Sequence, residues 1–184
     1  MNVLFHHDSY STVLTAIVSR LPVILGSGVT LFIASWALNV VAPHHKSDYT
    51  PLDAPAKKKV STALKDARLG PGRAYLIPKN ASHDDESSMM VYTNNTTSMG
   101  SRLVMSLAVN VAMAAKVAVA VSLASPTNKT NEALLAGFIT VLSYSGASTV
   151  FSVIWYSHPI RMEINNTIDS LVYGGLTALC FYYM

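Results

Sequence analysis

The chain has 184 residues, 51% of them hydrophobic and only 12% charged, with a formal net charge of +3 and a mean hydropathy of +0.34. Soluble domains carry about 25% charged residues, so this composition points to a bilayer, and so small a net charge offers no footing for a nucleic-acid partner. A single cysteine, Cys180, excludes an internal disulfide and a cysteine metal cluster.

Residues 1–20 hold His6, His7, Asp8 and many hydroxyl side chains, with no basic start leading into an apolar centre, so a cleavable leader is not expected. Over residues 9–21 the apolar Val13, Leu14, Ile17, Val18 and Leu21 recur at helical spacing, with Ser, Thr and Arg20 opposite. The first segment, 1–21, is therefore expected to carry an amphipathic helix lying at the interface.

A first span is expected over 22–42, about the 20 residues a bilayer needs. Pro22 suits its first turn. Gly26, Ser27 and Gly28 leave room for a neighbouring helix, and Pro43 ends the run.

A polar, basic loop follows over 43–100. Within it the run Lys57-Lys58-Lys59 opens a possible helix, with Val60, Leu64 and Ala67 on one face and Gly70 as its stop. Lys57, Lys58, Lys59, Arg68 and Arg73 are the expected contacts for anionic lipid or a protein partner. LGPGR at 69–73 reads as a turn rather than a phosphate cradle, because a proline separates two of its glycines.

Residues 101–184 read as a three-span bundle, with spans from about Arg102 to Ala124, Ala133 to Tyr156 and Ile168 to Met184. Ala108, Ala112 and Ala115 form a small-residue stripe, and Gly137, Ser143, Ser145, Gly146, Gly174 and Gly175 mark further close contacts. The short joins at 125–132 and 157–166 make these helices antiparallel neighbours. The fold class expected is all-α: an integral membrane four-helix bundle with an N-terminal interfacial helix and a long polar loop between spans 1 and 2.

Charge orients the bundle. Lys46, Lys57, Lys58, Lys59, Lys65, Arg68, Arg73, Lys79, Arg102 and Arg161 fall on one side, against Arg20 and Lys129 on the other. The loop side is then cytoplasmic or matrix, in a plasma (inner) or mitochondrial inner membrane. That placement argues against glycosylation at Asn80, Asn94, Asn95 and Asn165, and Asn128 lies close to the membrane.

Three sets of residues carry candidate chemistry. His44, His45, His83 and His158 share the inner side, with Asp48 beside the first pair, and imidazoles there could hold zinc or copper. Their spacing matches no ligand signature, and a solvated loop gives the same composition. Asn110, Lys116 and Asp169 are polar groups within spans. Lys116 lies about 14 residues into its span, ~21 Å from the inner end, and can snorkel outward. Asp169 sits near the inner end and is expected to meet Arg102 or Arg161 rather than Lys116. No nucleophile–base pair appears, so no catalytic role and no cofactor are expected.

Ser35-Trp36, Pro43-His44-His45, the run Leu69 to Pro78 with Tyr75-x-x-Pro78, Trp155-Tyr156 before Pro159, and Asp169 together resemble a family of small four-span membrane proteins found widely in bacteria. The resemblance covers about 35–184 and implies the fold. The family has no established activity, and the N-terminal helix and the double histidine depart from its pattern. The residues lead to an expectation of a non-catalytic accessory or assembly subunit of a membrane complex, partnered by lipid and other membrane subunits. The rival expectation is a small transporter or a metal- or proton-handling protein.

Overall fold

The computed structural model describes residues 14–48, 52–68, 74–77, 89–92, 98–156 and 158–184. The chain divides into two units, Met1–Tyr49 with Leu103–Met184, and Thr50–Arg102. Among the described residues it is mostly helical, with one short antiparallel pair of strands that the sequence reading did not anticipate.

Residues 14–19 are helical and Arg20 forms a turn. Leu14 and Val18 are exposed while Ala16 is buried, and the rest of the expected interfacial helix lies outside the described residues. Helix α1, Leu21–Trp36, begins with Pro22 in its first turn. It continues as a wider π-turn over Ala37–Val41, and the Ala42 N–H closes it on the Ala37 carbonyl at 3.0 Å. Ala42, which precedes Pro43, is extended, as a residue before proline prefers. A 3₁₀ turn over His44–Ser47 follows directly.

In the second unit, helix α2 spans Ala54–Asp66. Asp53 caps it by accepting from the Ala56 N–H at 2.7 Å, and Lys65 stands in the last turn, where a cation suits the helix dipole. The helix thus starts ahead of the lysine run. It ends before the expected stop at Gly70: Ala67 makes the closing turn, and Arg68 adopts a left-handed φ of 50°. Strands β1, Ala74–Ile77, and β2, Met89–Tyr92, pair antiparallel, with Ala74 opposite Tyr92 and Ile77 opposite Met89. Each run, AYLI and MMVY, carries a tyrosine and a β-branched residue, types that favour strands.

Helix α3 runs over Met99–Ala124, and Ser98 Oγ accepts from the Ser101 N–H at its start. Helix α4 spans Lys129–Tyr156. Asn128 caps it through the Asn131 N–H at 2.8 Å, and Gly146 breaks its helical geometry at φ −39°, ψ −131°. Helix α5 spans Ile160–Tyr183, so its start precedes the expected Ile168, and most of the supposed 157–166 connection is helix. Pro159 leads in, Met162 N–H bonds back to the Pro159 carbonyl, and Glu163 lies in the favourable first turn. Its polar residues can be helical and buried because residues 44–48 supply their partners.

Small residues set the approach of the helices in the first unit. A Cβ on Gly137 of α4 would lie 2.9 Å from the Gly174 carbonyl oxygen of α5, and one on Gly28 of α1 would lie 2.8 Å from Val111 Cα of α3. Gly175 has open space and marks no contact. On α3 the buried face is Asn110, Ala114, Val117, Ala118 and Val121. The expected stripe of Ala108, Ala112 and Ala115 therefore does not pack as a set: Ala108 and Ala112 are exposed. The larger residues Val117 and Val121 belong to the buried apolar cluster that also holds Ile24, Ala136 and Phe181.

Two ends of this unit are fixed by polar contacts. At one end Arg20 pairs with Glu132, and a Cβ on Gly26 would lie 2.6 Å from Met184 Sδ. The starts of α1 and α4 and the end of α5 therefore meet. At the other end, residues 44–48 meet Asn165 and Asp169 of α5. Among the described residues two helices, Leu21–Val41 and Met99–Ala124, are long and apolar enough to cross a membrane.

Candidate functional site

The site begins with chain geometry. The tight turn after α1 places His44 and His45 side by side, their ring centroids 4.2 Å apart. One helical turn separates Asn165 from Asp169, so both project from one face of α5. That face meets the histidine turn. His44 Nε2 lies 2.8 Å from Asp169 Oδ1, and His45 Nε2 lies 2.9 Å from Asp169 Oδ2.

A second layer holds these groups. His45 Nδ1 lies 2.6 Å from Asp48 Oδ2. Asn165 Nδ2 donates to Asp48 Oδ1 at 2.6 Å and to the His44 carbonyl at 3.1 Å. The carboxylates of Asp48 and Asp169 are 3% and 7% exposed, and the rings of His45 and His44 are 14% and 26% exposed. Burial works against a charge on His45, but hydrogen bonds to Asp169 and Asp48 and the fields of both carboxylates outweigh it and raise its pKa above 6.5.

Asp169 also lines a cavity of about 380 Å³ shared with Asn39, Tyr144, His158, Glu163, Asn166 and Tyr173, among others. His158 Nδ1 lies 3.1 Å from Glu163 Oε1, and Asn166 Nδ2 donates to Glu163 Oε2 at 3.4 Å. The Tyr144 and Tyr173 rings pack at a tilt of 58° with centroids 4.9 Å apart, and Tyr144 Oη donates to Asn110 Oδ1 at 2.7 Å. Asn110 Nδ2 in turn donates to the Ser106 carbonyl. Polar groups thus continue from the histidine turn into the helical bundle.

Of the four candidate ligands, His44 and His45 come together, His158 pairs separately with Glu163, and His83 lies outside the described residues. Asp169 meets the imidazoles of His44 and His45, because the histidine turn packs onto the buried face that carries it. Lys116 is exposed and donates to Ser143 Oγ at 3.3 Å. Lys57, Lys58, Lys59 and Arg68 are exposed around α2, where Leu52, Val60 and Leu64 line a groove of about 430 Å³, and Arg73 lies outside the described residues.

Sequence reasoning missed Glu163, Tyr144 and Tyr173, and it weighed Asn165 only as a glycosylation signal. In the structure Asn165 is buried, and its amide nitrogen is engaged. The i, i+4 spacing of Asn165 and Asp169 would have placed them together, had α5 been started at Ile160. Compared with protein-family models, with characterised proteins and with solved structures, the chain matches none.

Proposed function

We propose that the chain is a multi-pass membrane protein whose four long helices cross the bilayer and whose role is that of a non-catalytic accessory or assembly subunit. One observation carries the reading: the helices of the first unit turn large apolar side chains outward, while several polar side chains are buried among apolar ones such as Ile24 and Phe181. Val104, Phe138 and Leu171 are 69%, 60% and 58% exposed, whereas Asn110, Thr140, Asp169 and Thr177 are buried. In water such a surface would drive association. In lipid it is the expected arrangement, with close small-residue contacts and polar groups turned inward. The two helices able to span a membrane support the same reading.

Extraction tests it. The protein should stay with membranes at alkaline pH and release only into detergent. In mild detergent it should travel with other membrane proteins, identified by mass spectrometry. Running alone as a monomer would remove the subunit role. A loop 43–100 on the cytoplasmic or matrix side follows from its basic residues, and protease protection of sealed vesicles reports it.

A second reading, handling of a metal ion or a proton, is favoured by the His44–His45–Asp169 cluster and by its position beside a polar cavity. Elemental content of the purified protein and the behaviour of Asp169→Asn and Lys116→Ala distinguish it from the first.

A further inference from the structure

Both ring nitrogens of His45 face carboxylates: Asp48 Oδ2 at 2.6 Å and Asp169 Oδ2 at 2.9 Å. An ionised carboxylate only accepts, and a neutral imidazole has one N–H to give. One of the two contacts therefore requires an added proton, on the ring or on a carboxylate, or a metal ion in its place. His44 Nε2 converges on the other oxygen of the same Asp169 carboxylate at 2.8 Å. A single divalent ion would engage all three groups at once.

We propose that His44, His45 and Asp169 form a binding site for a divalent first-row transition ion, with Zn²⁺ the preferred occupant. The proposal deepens the second reading above and leaves the membrane-subunit reading independent of it. One ligand atom from each residue lies within 4.8 Å of the others. Ligand atoms about a tetrahedral zinc, with bonds of about 2.0–2.2 Å, stand roughly 3.4 Å apart. From 4.8 Å, the widest spacing the cluster allows, that distance is reached by closing about 1.4 Å.

The donor set narrows the ion to first-row transition metals. Two imidazole nitrogens and one carboxylate oxygen suit zinc and its neighbours, whereas calcium and magnesium take oxygen ligands. The second layer also matches. Asp48 on Nδ1 of His45 holds the tautomer that presents Nε2 to the ion, and Asn165 holds both Asp48 and the His44 carbonyl. Three protein ligands leave one position for water or another donor. Because Asp169 also lines the cavity that holds His158 and Glu163, a polar space adjoins the site.

The test uses the full chain in mild detergent, treated with a chelator and dialysed. Titration with Zn²⁺ should give one ion per chain by calorimetry. Co²⁺ should produce the visible absorption of a tetrahedral nitrogen–oxygen site, which Zn²⁺ then abolishes. His44→Ala, His45→Ala and Asp169→Asn should lose both signals. Asp48→Asn should bind with affinity reduced roughly 10- to 100-fold, and Lys129→Ala, at the opposite end of the unit, should bind as the parent does. Absence of both signals from the folded parent chain would overturn the site whether or not any variant folds, as would parent-like binding by Asp169→Asn. Zinc binding without zinc flux in proteoliposomes would keep the site and remove transport from the second reading.

Discussion

His45 Nε2 lies 2.9 Å from Asp169 Oδ2, although 124 positions separate the two residues. The contact fastens the turn after α1 to the buried face of α5, and it makes the stability of the metal-free protein depend on pH. The folded-state pKa of His45 is raised, so its contribution is fully present below the unfolded value of 6.5 and is lost as pH rises through the folded value. Thermal unfolding of the chelator-treated chain should therefore show midpoints that fall above about pH 6.5, and His45→Asn should flatten that decline. Zinc binding should run the opposite way and strengthen with pH, because the imidazoles must shed protons to bind. A midpoint rising through this window without metal would contradict the assignment of charge to His45.

Gly137 and Gly174 allow α4 and α5 to touch backbone to backbone. A methyl on Gly174 would meet Val141 Cγ2 at 2.5 Å and the Gly137 carbonyl at 2.9 Å. Gly174→Ala should destabilise by about 1–3 kcal/mol through overpacking. Gly175→Ala is the control. Nothing lies within 4 Å of its added Cβ, so a gain of up to about 1 kcal/mol from helix propensity is expected. Unfolding of both variants in mixed detergent micelles measures the contrast, and equal effects would show that the helices do not pack at this point.

The helices were largely legible in the sequence, and the site was half legible. Apolar runs located α1, α3 and α4, because a long stretch with so few charges has few other uses. The true start of α5 was hidden: Glu163, Asn165 and Asp169 look like loop residues until their partners are known. The packing face of α3 was hidden for a related reason. The sequence reading took the stripe Ala108, Ala112 and Ala115, whereas the buried cluster with Ile24, Ala136 and Phe181 takes in Ala114, Val117, Ala118 and Val121. His44, His45 and Asp48 stood out as a group after a span. Their meeting with Asp169 depends on how the helical ends come together, and charge counting favoured arginine partners instead.

Tyr144 and Asn110 form the contact that carries polarity deepest from the histidine turn. Tyr144→Phe leaves Asn110 Oδ1 without its 2.7 Å donor while changing shape very little. A buried acceptor left unsatisfied costs about 1–3 kcal/mol, and a loss in that range is expected. Asn110→Leu together with Tyr144→Phe should recover part of it, because removing both polar partners removes the unmet demand. A double-mutant cycle on unfolding free energy gives the coupling, and strict additivity would mean that the hydrogen bond does not form.

Helix α2 presents Lys57, Lys58 and Lys59 in succession, all exposed, beside a groove lined by Leu52, Val60 and Leu64. If this helix contacts the charged face of a membrane, each lysine adds about 1 kcal/mol near an anionic surface, and salt screens the effect. The triple change to Gln should then weaken binding of a soluble 50–102 fragment to phosphatidylserine-containing vesicles by about two orders of magnitude at low salt, with little binding to neutral vesicles by either form. Circular dichroism of the fragment must first show that α2 forms in isolation. Failing that, the same change is made in the full chain, and a soluble anionic lipid analogue reports the loss. Equal binding to neutral and anionic surfaces would show that the three lysines do not select anionic lipid.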